Sequence, residues 1–117
     1  MKFSIVTVTY NCQNTIRLTL DSIKSQTYND YELIIIDGKS TDGTCNVISE
    51  YKNIISYYIS ECDSGIYNAM NKSLEYCHGG WILFLNSGDC FHNENVLKKI
   101  AICISDRNTL YYGNVFF

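Results

Sequence analysis

A run of apolar residues too short to be a core helix and stopped by a polar turn constrains this chain most: Trp81 to Phe91, WILFLNSGDCF. Five large residues rich in Ile, Leu and Phe read as a strand covered on both faces, and such strands belong to the centre of parallel sheets. The run ends abruptly at Asn86-Ser87-Gly88-Asp89. In open α/β sheets ligands bind beyond the carboxyl ends of the strands, where a Gly lets the backbone turn tightly and an adjacent Asp presents a carboxylate. An ordinary turn is the competing reading, because Asn, Ser, Gly and Asp are the commonest turn residues.

Similar short apolar runs recur along the chain, each followed by a helical pattern. Phe3–Thr9, residues 31–36 and residues 54–59 read as strands, and 109–117, interrupted by Gly113, as a further one. Between them the spacing predicts helices over 14–25, with Asn14 as cap and Ile16, Leu20, Ile23 and Thr27 on one face, and over 43–51, with Thr41 or Asp42 as cap. A third helix is predicted over 66–76, with Ile66, Ala69, Met70 and Leu74 on one face and a left-handed C-cap at Gly79-Gly80, and a fourth over 93–104. Regular alternation of strand and helix implies α/β architecture: a mostly parallel central sheet with helices on both faces, joined by right-handed crossovers.

The length, 117 residues with 46% hydrophobic content, suits a single domain over 1–117, with no linker-like stretch to mark a second. Charged residues make up 18% and the formal net charge is −3, so the electrostatic footprint of a nucleic-acid binder is missing. No two of the six cysteines stand closer than 13 residues, which gives neither a CxxC zinc pair nor a thioredoxin-type motif. Free thiols and the lack of a signal-peptide pattern point to the cytoplasm, and no apolar run approaches a membrane span. His78 and His92 are too isolated to propose as metal ligands, and Cys90 has no base beside it to make it a nucleophile.

Under a parallel topology the segments after the first four strands fall on one sheet edge: Thr9-Tyr10-Asn11, Asp37 to Asp42, Glu61 to Gly65 and Asn86 to Asp89. Carboxylates at 37, 42, 63 and 89 gathered there would repel one another unless a cation sat between them, and a divalent metal with a phosphate is the simplest occupant. Asp42 is equally suited to capping the following helix. Two nucleotide signatures are missing. TYNCQNT follows the first strand where a dinucleotide fold has GxGxxG, and no Gly-Lys-Ser or Gly-Lys-Thr supplies a Walker loop.

FSIVTVTYN, then LxSIxxQTYxxYELIIIDGKSTDGT from Leu20, ECDSGIYNAMNKSL and GGWILFLNSGDCF occur in order at family-like spacings. Over essentially the whole chain this resembles the donor-binding portion of a family 2 glycosyltransferase with the GT-A fold, a Rossmann-like architecture. The resemblance implies a nucleotide sugar donor, commonly a UDP-sugar, with Mg²⁺ or Mn²⁺. It also implies inverting transfer of the sugar to a hydroxyl of a saccharide or lipid-linked acceptor, in cell-surface polysaccharide or glycoconjugate synthesis at the inner face of the membrane, with peripheral membrane association.

By the same resemblance Tyr10 is the strand-end aromatic beside the base, with Thr9 and Asn11 among the substrate-binding residues. Asp37 matches the first carboxylate of an Asp-Asp-Gly-Ser loop, and Gly38 stands where the second is usual. Asp63 approaches the nucleoside, Asn71 falls in the segment that usually reads Ala-Arg-Asn, and Lys72 is the nearest cation to a phosphate, Met70 replacing the Arg. Ser87 and Gly88 line the diphosphate, and Asp89 is the metal ligand, with Asn86 able to offer a carbonyl oxygen. The family's general base lies in a segment beyond Phe117, and Glu94 and Asp106 read as helix-face or exit-loop residues. The expectation is therefore an enzyme, a metal-dependent glycosyltransferase domain of the hexosyltransferase class, with a truncated, catalytically incompetent nucleotide-sugar-binding module as the alternative. A redox protein is disfavoured by the cysteine spacing.

Overall fold

The computed structural model describes residues 3–62 and 65–103. Asp63, Asp106 and the strand expected over 109–117 lie outside them. Four strands, β1 (Phe3–Thr9), β2 (Tyr31–Asp37), β3 (Tyr57–Ser60) and β4 (Trp81–Phe84), alternate with helices α1 (Ile16–Lys24), α2 (Thr44–Ser49), α3 (Ile66–Ser73) and α4 (Val96–Cys103). All strand pairs are parallel and the order is β3-β2-β1-β4. The chain winds outward from β1 through β2 to β3, then crosses to the other side of β1. The winding therefore reverses between β1 and β4.

The sheet is held by a period-two division of β1 and β2. Phe3, Ile5, Leu33 and Ile35 join one buried cluster with Ile16, Leu20 and Ile23 of α1, Ile48 of α2 and Val96 and Leu97 of α4. Val6, Ile34 and Ile36 point the other way, onto Ala69 of α3. Alternate residues of a strand face opposite sides, so a run apolar at every position must be covered twice. β1 and β2 pair over seven residues, from Phe3 with Tyr31 to Thr9 with Asp37.

Three elements differ from the sequence expectation. The centre of the sheet is the β1/β2 pair, not the WILFL run: among the described residues β4 is an edge strand, paired to β1 alone, and Ile82 is 42% exposed. Its apolar character reports cover and not rank in the sheet: Trp81 and Leu83 pack on the larger cluster, in which Leu85 and Phe91 are buried beyond them, and Phe84 packs on the smaller one. β3 starts at Tyr57 rather than at residue 54, because Ile54 and Ile55 pack on that cluster from the preceding turn. The third helix ends at Ser73 and tightens into a 3₁₀ turn over Leu74–Tyr76, leaving Leu74 exposed. The Ile66 side chain lies outside the described residues.

Gly79 was expected to terminate that helix in a left-handed conformation, yet the glycines with positive φ are Gly65 and Gly88. Its role is close approach. A Cβ at Gly79 would lie 2.6 Å from the Phe3 carbonyl carbon and 2.6 Å from the Ser4 nitrogen, both backbone atoms of the central strand. The Gly79 N–H donates to Ser4 Oγ at 2.7 Å, and Ser4 Oγ donates to the buried Glu32 carboxylate, which also accepts from the His78 N–H and faces His78 Nδ1 at 3.2 Å. Burial pushes the Glu32 carboxyl up, but the Ser4 and His78 donors outweigh it and hold the group below the usual glutamate range. This network clips the α3–β4 connection to the rim opposite the Asn86–Asp89 turn. Gly79→Ala should therefore lose roughly 1–3 kcal/mol through forced backbone displacement, read as a lower urea midpoint with unchanged m-value.

Candidate functional site

The reversal between β1 and β4 opens a cleft of about 570 Å³ at the carboxyl rim. Val8, Thr9, Tyr10 and Cys12 line it from the end of β1, Gly38 from β2, Cys62 and Gly65 from the segment after β3, and Asn86 and Ser87 from the turn after β4. All four strand ends thus contribute to one cavity, as the parallel topology requires. None of these lining residues carries a formal charge.

Beneath the cleft lies the Asp37 carboxylate, fully buried. The register that sets Thr9 opposite Asp37 lets Thr9 Oγ1 donate to Oδ1 at 2.6 Å. Ser40 donates twice, from its N–H to Oδ2 at 2.8 Å and from Oγ to Oδ1 at 2.6 Å, and Ser60 Oγ at the end of β3 donates to Oδ2 at 2.8 Å. Cys45 Sγ of α2 adds a weaker contact at 3.6 Å. Burial alone would raise this carboxyl, but the donors from Ser40, Thr9 and Ser60 more than compensate and leave it below the ordinary aspartate value. Asp37 ties the ends of β1, β2 and β3 to the 38–44 loop.

That loop is also bolted to the segment after β1. Asn11, in a left-handed conformation at φ 45°, accepts the Thr41 N–H on Oδ1 at 2.8 Å, while its own N–H donates to Ser40 Oγ at 2.9 Å. The Cys12 N–H donates to Thr44 Oγ1 at 2.8 Å. Asp42 Oδ1 accepts the Thr44 N–H at 3.0 Å, so Asp42 caps α2 one residue ahead of its N-cap Gly43. The Thr44 hydroxyl and the Thr44 and Gln13 N–H groups hold its carboxyl below the usual range against a smaller opposing effect of desolvation.

Sequence reasoning placed Thr9, Tyr10, Gly38 and Ser87 at the site, and the structure sets all four on the cleft wall, Tyr10 with 62% of its surface exposed. Asn11 and Asp37 stand behind that wall. Gly88, at φ 95°, makes the turn in which the Asp89 N–H donates to the Asn86 carbonyl at 2.9 Å. Asn71 and Lys72 on α3 are not part of the lining; Lys72 Nζ pairs with Glu61 at 3.2 Å and donates to the Cys62 carbonyl at 3.1 Å. Asp63 lies outside the described residues. Ser40, Ser60 and Thr44 were missed, though a hydroxyl residue near each strand end was the available signal.

Among the described residues no group of three or more His, Cys, Asp or Glu side chains could hold a metal. Asp37 and Asp42 are satisfied by hydrogen bonds instead of sharing a cation with Asp89, which corrects the picture of converging carboxylates. One buried polar atom at the cleft has no partner: Asn86 Oδ1. Hard cations such as Mg²⁺ take oxygen ligands and are usually held by one or two carboxylates plus substrate phosphates. A carbonyl oxygen awaiting a partner in the turn that carries Asp89 fits such an ion when a diphosphate supplies the remaining ligands. The described cysteines at 12, 45, 62, 77 and 90 are all free thiols.

Comparison with known proteins gives a consistent result. The family described as Glycosyl transferase family 2 matches residues 4–117. A PGL/p-HBAD biosynthesis glycosyltransferase of Mycobacterium bovis is 33% identical over 97% of this chain and 46% of its own length. The Escherichia coli UDP-Glc:alpha-D-GlcNAc-diphosphoundecaprenol beta-1,3-glucosyltransferase WfaP is 34% identical over 97% of this chain and 45% of its own. The chain thus spans less than half the length of these curated relatives. Staphylococcus aureus TarS 1-349 in complex with UDP-GlcNAc superposes with a TM-score of 0.81 at 29% identity, over 87% of this chain and 30% of that one. The mannosyltransferase PcManGT from Pyrobaculum calidifontis, in complex with GDP-Man and Mn²⁺, shares the fold at a TM-score of 0.81 and 21% identity, over 90% of this chain and 32% of its own. The architecture is the α/β, Rossmann-like GT-A type that the sequence implied.

If Asp37 is the tie that shapes the cleft floor, Asp37→Asn should cost about 2–4 kcal/mol, since an amide turns two of its protons toward existing donors. The pH dependence carries the sign. A carboxyl held low in the folded state adds stability that is complete above the unfolded value of about 3.9 and is lost as pH falls through the lower folded value. Urea midpoints measured from pH 7 down to pH 2.5 should fall more steeply for the wild type than for Asp37→Asn.

Proposed function

The chain belongs to glycosyl transferase family 2, and from that premise we propose that its cleft holds the nucleotide of a nucleoside-diphosphate sugar, a UDP-sugar by preference. One observation carries the reading: a single cavity at the point where the sheet reverses, walled by all four strand ends with the buried Asp37 network behind them. Its volume is in the range of small-molecule sites. The exposed Tyr10 ring offers a stacking face to the base, with Thr9, Asn11 and Gly38 near it in the chain or the cleft wall, and Asp63 is assigned to the nucleoside by the family resemblance alone. Ser87, Gly88 and Asp89 take the diphosphate end. Asn71 and Lys72 stand on α3 beyond it, and Lys72 reaches a phosphate once it releases Glu61.

Asp89 and Asn86 are the residues that would hold a divalent ion, Mg²⁺ or Mn²⁺, together with the diphosphate; the chemistry such an ion would supply is neutralisation of charge on the departing nucleoside diphosphate. The chain's own residues orient the donor: the Asn86–Asp89 turn fixes the leaving group while Tyr10 fixes the base. Transfer proceeds with inversion to a hydroxyl of a saccharide or lipid-linked acceptor, in cell-surface polysaccharide or glycoconjugate synthesis. The relative WfaP, whose name specifies a diphosphoundecaprenol substrate, supports an acceptor of that type. Among the described residues no helix is long and apolar enough to cross a membrane. Reaching such an acceptor at the inner membrane face would then be by peripheral association.

Calorimetry with UDP and GDP in Mn²⁺ and in EDTA tests this. UDP should bind more tightly with Mn²⁺ than without, and Asp89→Asn should abolish most of that difference, weakening binding on the order of tenfold. A folded protein that binds no nucleoside diphosphate or nucleoside-diphosphate sugar under either condition would remove the reading.

A further inference from the structure

The face of α1 that meets the segment after β4 is polar, and its residues recur at helical spacing. Thr15 at the N-cap, Thr19, Ser22 and Gln26 just past the end stand four, three and four residues apart. Each grips a successive part of that segment. Thr15 Oγ1 meets Ser87 Oγ at 3.0 Å; Ser22 Oγ accepts the Phe91 N–H at 3.2 Å; the Gln26 amide donates to the Asn93 carbonyl at 2.7 Å and accepts the Leu97 N–H at 3.1 Å. Thr19 makes the tightest grip, since its one hydroxyl accepts the Gly88 N–H at 2.9 Å and donates to the Asp89 carbonyl at 2.7 Å.

Those two bonds bracket the Gly88–Asp89 peptide, which lies in a turn set by Gly88 at φ 95°. Thr19 is fully buried, so water cannot take over either bond once the hydroxyl is removed. A buried hydroxyl that holds the N–H of Gly88 and the carbonyl of Asp89, one on each of the two peptides flanking Gly88–Asp89, pins the turn at both ends, and with it the direction in which the turn presents Asp89 and the unpartnered Asn86 Oδ1. We propose that Thr19 is a positioning residue for the diphosphate and divalent-cation end of the cleft: through the Gly88 N–H and the Asp89 carbonyl, a buried helix hydroxyl aims the ligating turn. This rests on the donor reading above.

Thr19→Val is nearly isosteric and loses both bonds, whereas Thr19→Ser keeps them. In metal-free protein, the Gly88 amide should exchange faster in Thr19→Val than in wild type by NMR. Calorimetry should show Thr19→Val weakening UDP binding in Mn²⁺ on the order of tenfold, as loss of an outer partner of a metal ligand does, with uridine binding unchanged and Thr19→Ser close to wild type. Gln26→Leu, which cuts the far end of the same ladder, should lower stability without touching the Mn²⁺-dependent affinity. Should Thr19→Val fail to fold, Thr19→Cys, a weak donor and acceptor of similar size, reads the same quantities.

The proposal is overturned if folded Thr19→Val, or Thr19→Cys in its place, binds UDP with Mn²⁺ as the wild type does, if uridine affinity falls in parallel, or if Gln26→Leu has an equal effect. Failure of the wild type itself to bind UDP with or without Mn²⁺ would instead defeat the donor reading, and this inference with it.

Discussion

A buried carboxylate with both oxygens committed holds this site together. Asp37 carries its charge out of water only because Thr9, Ser40 and Ser60 surround it with donors. Removing one partner from a buried charged group costs far more than the net worth of the bond it made. The arrangement is therefore close to all-or-none: β1, β2, β3 and the 38–44 loop meet at one geometry. The cleft inherits that rigidity, because Thr9 and Gly38 are at once its wall and neighbours of the tie.

The electrostatics of the rim follow from this division of labour. Asp37 and Asp42 are charges spent on architecture, one beneath the cleft and one at the start of α2. An anionic ligand entering the cleft meets neutral side chains and backbone. For a diphosphate held as proposed, a bound cation would supply the compensation, and Asp89 would be the carboxylate of the same turn as Asn86, whose side-chain oxygen has no partner.

β1 and β2 were legible in the sequence because seven-residue apolar runs with two buried faces leave few alternatives, and α1 because Ile16, Leu20 and Ile23 recur at helical spacing. The rank of β4 in the sheet was not, since apolar content reports burial and not the number of neighbours. β3 slipped by three residues because Ile54 and Ile55 are as apolar as a strand while packing from a turn. The rim loops were recognisable by their Gly, Asn and Asp. Their internal wiring was hidden: which oxygen meets which N–H depends on register, and Thr9 reaches Asp37 only because the strands align without offset. Gly79 illustrates the same limit, for its purpose is a distance to a strand more than seventy residues earlier in the chain.

The two sides of the sheet are unequally covered. One carries a core drawn from α1, α2 and α4, while the other, among the described residues, has Val6, Ile34 and Ile36 against a single buried alanine of α3. Apolar burial sets how much work it takes to separate a helix from a sheet, so among the described residues the three-helix side carries the larger share of that work. α3 begins at Gly65, on the cleft wall. A guest in the cleft would therefore touch both flanks of the sheet at once, the start of α3 at Gly65 and the turn at Asn86 and Ser87 that α1 braces from the other side.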